Sequence, residues 1–341
     1  MDRRAPGSVK YLSWLLIGML SVFFAEVMSG SYLFPYFTVW GILVVMPLYT
    51  LHTLVFAHVV FNYGKPRLYT LFLAGVIFGL YEAYITKVLW NPPWGASLFA
   101  GGVAIIELAV IAMWWHPFMA FIAPLFVSEN VLSKSKDIFK GLPAMVQRLC
   151  DTKKKVYILL ALFVIFFGLV QSANSPSPIH SLASVILGGG AIMALLWIYR
   201  SKTSGLEYSL KELLPDKKEF VVLLAALLLF YAMTGIVLRP EALPGIGPQL
   251  LILLIYAVMF ALLYLSLKKS KKIEPVKTVG LPVGFSWKLL AVLTVSFALV
   301  SAIGNVLHIG LISILLAWLL WGITGIIMMI LSARDAIGRV S

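Results

Sequence analysis

The chain has 341 residues, 61% hydrophobic and 12% charged, with a mean hydropathy of +0.97; this balance excludes a soluble globular domain and indicates an integral membrane protein. The formal charge of +13 comes in short basic runs between apolar stretches, where Lys and Arg act as topology signals, so no nucleic-acid partner is expected. The single cysteine, Cys150, excludes an internal disulfide framework and any CxxC metal or redox pair.

Crossing the hydrocarbon as a helix takes about 20 apolar residues. Ten such segments follow one another, at about 11–31, 38–61, 69–89, 97–115, 156–173, 181–199, 220–238, 249–267, 288–306 and 309–331. The first follows a basic start without a small-x-small cleavage site and reads as a retained span. The third runs into "GLYEAYITKVLWNPPWG", 79–95, whose short proline turn makes the third and fourth spans antiparallel neighbours. Lys87 in this stretch is expected to snorkel toward the outer boundary.

Residues 116–132, "HPFMAFIAPLFVSENVL", are apolar but carry Pro117 and Pro124. They read as an interfacial or re-entrant segment, or as a kinked extension of the fourth helix. The basic stretch after them spaces Ile138, Leu142, Met145, Val146 and Leu149 as a helix lying on anionic lipid would, although a solvated topogenic loop explains the same residues.

With the N-terminus inside, every Lys and Arg except Lys87 and Arg239 falls on one side of the ten spans. The expected fold is thus an all-α integral membrane protein, a polytopic bundle of about ten transmembrane helices with both termini cytoplasmic. It forms one membrane domain over 1–341 in the cell membrane: a polar part at about 1–132, a basic cytoplasmic loop at 133–155 and an apolar six-helix part at 156–341. Its expected partners are the lipid bilayer, anionic lipid at the basic face, and a small solute or ion.

Ionisable groups inside a bilayer are expensive, so each is a functional candidate until a structural partner is found. The first four spans hold Glu26, His52, His58, Glu82 and Glu107, whereas the interiors of the last six offer mainly Thr234, Thr294, Ser296 and Asn305. At 100° per residue Glu82 shares a face with Gly75, Gly79 and Thr86, a small-residue strip where helices can approach. Counting the helical rise from the turn puts Glu107 near the depth of Glu82, with His52 level with Glu107 and Glu26 level with Glu82. These counts predict a buried cluster of Glu82, Glu107 and His52, joined by Glu26. Pro47, one turn before His52, is expected to free the carbonyl of Leu43.

Plainer roles stand beside each of these. A lone membrane Glu can be protonated against a carbonyl or a tyrosine such as Tyr81 or Tyr84. Glu26 and His58 lie toward span ends where water reaches, His116, His180 and His308 read as interfacial, and Arg239 with Glu241 reads as a weak loop ion pair.

HExxH, GxSxG, Walker A, GxGxxG and Asp-rich prenyl-diphosphate motifs do not occur, and neither a cofactor nor a bound metal is expected. "EAYITK", 82–87, resembles in spacing the first motif of the intramembrane CAAX-protease-like family, with Glu82 in the first place, Ala83 where a second glutamate belongs and Lys87 in place of arginine. His116 and His180 stand for that family's later histidines. The resemblance implies Glu82 as general base on a water, with the histidines polarising the substrate carbonyl or its oxyanion.

Three functions fit the sequence. The first is a transporter-like protein in which Glu82, Glu107 and His52, with Glu26, carry protons or bind a cation. An intramembrane hydrolase of the kind just described is the second, and a non-catalytic assembly subunit the third.

Overall fold

The computed structural model describes residues 5–95, 97–203, 208–273 and 280–338. Arg3, Arg4, Lys277 and Arg339 of the basic pattern lie outside these. Among the described residues ten helices are long and apolar enough to cross a membrane: Gly7–Val27, Gly41–Tyr63, Leu68–Ile85, Ile105–Leu132, Lys153–Asn174, Pro178–Lys202, Lys217–Val237, Ile246–Ser270, Trp287–Val306 and Gly310–Ile337. The protein is therefore an all-α polytopic membrane bundle, and these helices are its first to tenth spans.

Polar caps start the helices where the sequence changes character. Asp216 accepts from the backbone N–H groups of Lys218 and Glu219 while Glu219 reaches back to the N–H of Asp216, a capping box that opens the seventh span. Ser177 caps the sixth, with Pro178 at the first helical position, where its missing N–H would have had no partner.

Two expectations change around the fourth span. Residues 97–104 do not begin it: Phe99–Ala100 and Val103–Ala104 pair as a short antiparallel hairpin, in register Phe99 to Ala104. Gly101 and Gly102 have φ of +57° and +76°, the two left-handed positions that a tight hairpin turn demands and glycine supplies without strain. The helix then starts at Ile105 and continues to Leu132, so 116–132 is neither interfacial nor re-entrant but the second half of this span. Residues 108–122 wind with π geometry around Pro117, and a second π stretch, 41–45, comes just before Pro47. A wider turn accommodates a residue that has no N–H to give and whose ring crowds the preceding turn.

The chain divides into two compact units, each assembled from separated pieces of sequence. The first comprises Met1–Thr50, Ala123–Leu214 and Pro275–Ala317. Within it the ninth span packs on the fifth and the sixth. Gly168 faces Val300, Gly189 faces Thr294 and Gly304 faces Ser172, each so close that an added Cβ would stand within 3 Å of its neighbour. Buried Glu129 accepts from the backbone N–H of Asp137 at 2.6 Å and of Ile138 at 3.1 Å, anchoring the start of the basic loop. That loop is not one amphipathic helix. Gly141-Leu142-Pro143 breaks it into Asp137–Lys140, which buries Ile138 and Phe139, and Ala144–Leu149, which leaves Met145 and Leu149 exposed.

The second unit comprises Leu51–Ile122, Pro215–Glu274 and Trp318–Ser341. Its centre is the third span, which contacts the fourth, seventh and eighth and is buried along almost its whole length. Lys87 does not snorkel. It is fully buried, with φ of +58°, and its Nζ donates to the carbonyls of Ile85 and Gly235.

Candidate functional site

In the second unit, Glu82 and His116 meet where the third and fourth spans touch. The approach depends on two glycines of the third span. A Cβ on Gly75 would lie 2.5 Å from Pro117 Cα, and one on Gly79 2.8 Å from Ala112 Cα and 3.0 Å from His116 Cβ. With hydrogens there instead, the helices close up and Glu82 Oε2 comes to 3.4 Å from His116 Nε2, with 16% and 4% of the two side chains exposed.

The other ring nitrogen settles the tautomer. His116 Nδ1 lies 2.9 Å from the carbonyl of Ile111, which can only accept, so Nδ1 carries a proton. In the neutral imidazole Nε2 then has a lone pair. Two lone pairs repel, so the contact with Glu82 is attractive only when a further proton lies between them, on the carboxyl or on the ring. The pair is thus a one-proton device set in a membrane span.

Phe78, one turn before Glu82, connects this pair to the second histidine. Its ring lies 5.5 Å from that of His116 and stacks on His52 at 4.4 Å and 2°. His52 is fully buried and meets Tyr81 edge-on at 3.9 Å. Tyr81 donates to the carbonyl of Leu227 at 3.0 Å and contacts Tyr231, which also meets Tyr84. Among the described residues no group of three or more His, Cys, Asp and Glu could hold a metal ion.

The structure therefore regroups the residues expected to cluster. Glu82 is joined by His116, and His52 reaches the same helix through Phe78 and Tyr81. Glu107 faces elsewhere: Trp94 Nε1 donates to its Oε1 at 2.9 Å and the Ser97 hydroxyl to its Oε2, so it closes the 91–98 loop. The displaced helix start is the reason. Ala104 donates its N–H to Leu89 O, which leaves Glu107 three residues past this junction, under the loop, and Glu82 seven residues before it, level with later turns of the fourth span.

Glu26 belongs to the first unit. It sits in a π stretch, Phe23–Val27, and accepts from the hydroxyls of Tyr49 and, at 2.5 Å, Ser31. Outside the spans, burial raises the pKa of Tyr36 well above the ordinary tyrosine value, and the nearby Glu26 adds to the shift. His58 is not solvated; it is buried, with Nδ1 2.7 Å from the Pro215 carbonyl and its ring stacked on Phe220. His180 bonds to Ser177, which caps its helix.

His116 is the functional candidate that sequence reasoning placed wrongly, at a span end. The signal was present: Gly101-Gly102 is a hairpin-turn dipeptide. Starting the fourth helix after it moves His116 from the end of a span to its middle.

Ten apolar helices and a buried carboxylate–imidazole contact define a multi-pass membrane protein with a protonatable site inside its bundle. The chain belongs to a family described as an uncharacterized membrane protein family, whose model matches residues 15–339. It is similar to an uncharacterized protein of Archaeoglobus fulgidus, 35% identical over 267 residues that cover 77% of this chain and 80% of the relative. No solved structure matches the chain.

Proposed function

We propose that the protein is transporter-like and moves a proton, or a solute coupled to one, through the Glu82–His116 pair, with both termini in the cytoplasm. The 3.4 Å contact between Glu82 and His116 carries this reading. With Nδ1 committed to Ile111, the remaining proton passes between carboxyl and Nε2, and each half of the pair supplies the group that the other lacks. His52, linked by Phe78, is the next titratable group in the same unit and the expected second station. Glu107 holds the adjoining loop.

Purified protein in liposomes carrying an entrapped pH dye, with a potassium-diffusion potential imposed, tests the reading. Wild type should acidify the lumen at a pH-dependent rate that Glu82→Gln abolishes. An unchanged rate in that variant, or no flux in wild type, refutes it.

The same contact supports a second reading, since Glu82 and His116 are two of the positions that the CAAX-protease-like resemblance assigns. Glu82 would then take a proton from water and His116 would face the developing oxyanion. Membranes of cells carrying wild type should then contain cleaved peptides that are missing with Glu82→Gln; identical peptide sets sink this alternative.

A further inference from the structure

The first unit contains a cavity of about 290 Å³, near the lower limit for small-molecule sites. Five spans line it, through side chains such as Leu20, Phe24, Phe163, Ile192, Leu293 and Phe297. Its one hydroxyl, that of Thr294, is already bonded to the Leu290 carbonyl. Water placed there would find no polar partners. Hydrocarbon would lose nothing by entering.

The slot is long. Its wall on the first span runs from Leu16 to Met28, about 18 Å of helix. On the sixth span it runs from Val185 to Leu196, about 16 Å. One leaflet of a bilayer core is about 15 Å thick, so the cavity has the length of a single lipid chain.

One end is basic. Arg200 follows Leu196 by one helical turn, donates to the carbonyl of Phe285, itself part of the lining, and lies 4.6 Å over the Trp287 ring. Lys136 lies against Gly280, in the same connection. We propose that this cavity is the acyl-chain site of an anionic membrane phospholipid, one chain filling the slot and the phosphate meeting Arg200 and Lys136. The site belongs to the first unit and stands independently of the Glu82–His116 reading.

The full-length protein, stripped of lipid by extended detergent washing, is incubated with palmitoyl-oleoyl phosphatidylglycerol or the matching phosphatidylcholine, and retained lipid is counted by native mass spectrometry. Wild type should retain phosphatidylglycerol in preference. Met193→Trp and Leu293→Trp, which fill the slot, should lose it, whereas Leu162→Trp on an exposed face should not. Arg200→Gln should keep the lipid but lower the headgroup preference about fivefold. Equal retention of both lipids by wild type overturns the proposal. So does undiminished binding by Trp variants that elute and melt as wild type does. Should those variants fail to fold, an unchanged headgroup preference in Arg200→Gln overturns it instead.

Discussion

Lys87 and Arg239 each cap the end of the other's helix. Lys87, just past the third span, donates to the Gly235 carbonyl in the last turn of the seventh at 2.6 Å; Arg239, just past the seventh, donates to Thr86 at 3.1 Å and Asn91 at 2.9 Å. Both have left-handed backbone, with φ of +58° and +47°, which turns their side chains back toward unfilled carbonyls at the negative ends of the helix dipoles. The only basic residues that escape the one-sided charge pattern are thus structural cations. Glu241 is a minor partner, 4.0 Å from Arg239.

Burial draws the pKa of Lys87 below the ordinary lysine value, the like charge of Arg239 adds to this, and Glu241 opposes it. Lys87→Met should destabilise by about 1–3 kcal/mol, the loss of charge-assisted bonds being partly offset by relief of desolvation. Thermal unfolding in detergent measures this, and a midpoint equal to wild type contradicts the capping role.

Gly75→Ala places a Cβ 2.5 Å from backbone, at Pro117 Cα, which cannot swing aside. We expect a loss of about 1–3 kcal/mol, together with loss of the Glu82–His116 contact as the helices part. Gly190→Ala, with nothing within 4 Å of its Cβ, is the control and should be neutral or stabilising by about 0.5–1 kcal/mol. Comparable destabilisation by both substitutions would mean that close packing is not what the third span needs.

Glu82→Gln should leave the fold intact while ending proton exchange, because an amide can donate to Nε2 yet cannot pass the proton on. The His116 ring can report this directly. Nitrogen chemical shifts of labelled protein should show Nδ1 protonated in wild type and variant alike, with the Nε2 shift responding to pH only in wild type. A ring protonated at Nε2 alone would overturn the tautomer assignment.

Glu107→Gln tests the regrouping of the acids. The amide keeps one acceptor for Trp94 or Ser97, so hydrogen exchange in the 91–98 loop should rise about tenfold, for a loss of about 1.4 kcal/mol locally, while liposome flux stays unchanged. Flux falling with Glu107→Gln as far as with Glu82→Gln would restore the originally expected carboxylate pair.

Asp335 joins three elements of the second unit. Arg67 holds it bidentately at 3.0 and 3.1 Å, and Lys269 Nζ lies 3.5 Å away. These side chains are only 13–19% exposed, so Asp335→Asn should cost about 1–2 kcal/mol and the loss should shrink in high salt. A salt-independent loss would point to packing instead.

Composition and hydropathy determined that this is a ten-span membrane protein, because a helix must stay apolar for about 20 residues to cross hydrocarbon, and that requirement is written locally in the chain. Acidic and histidine positions inside the spans were legible for the same reason: each is an exception to a strong local rule. Which of them meet was not. Glu82 pairs with His116 rather than Glu107 because a glycine hairpin delays the start of the fourth helix and two glycines let that helix close on the third. The burial of Lys87 rests on carbonyls almost 150 residues away in sequence. Such choices belong to tertiary structure, since helical periodicity gives each side chain a face and a depth but does not say which helix lies opposite.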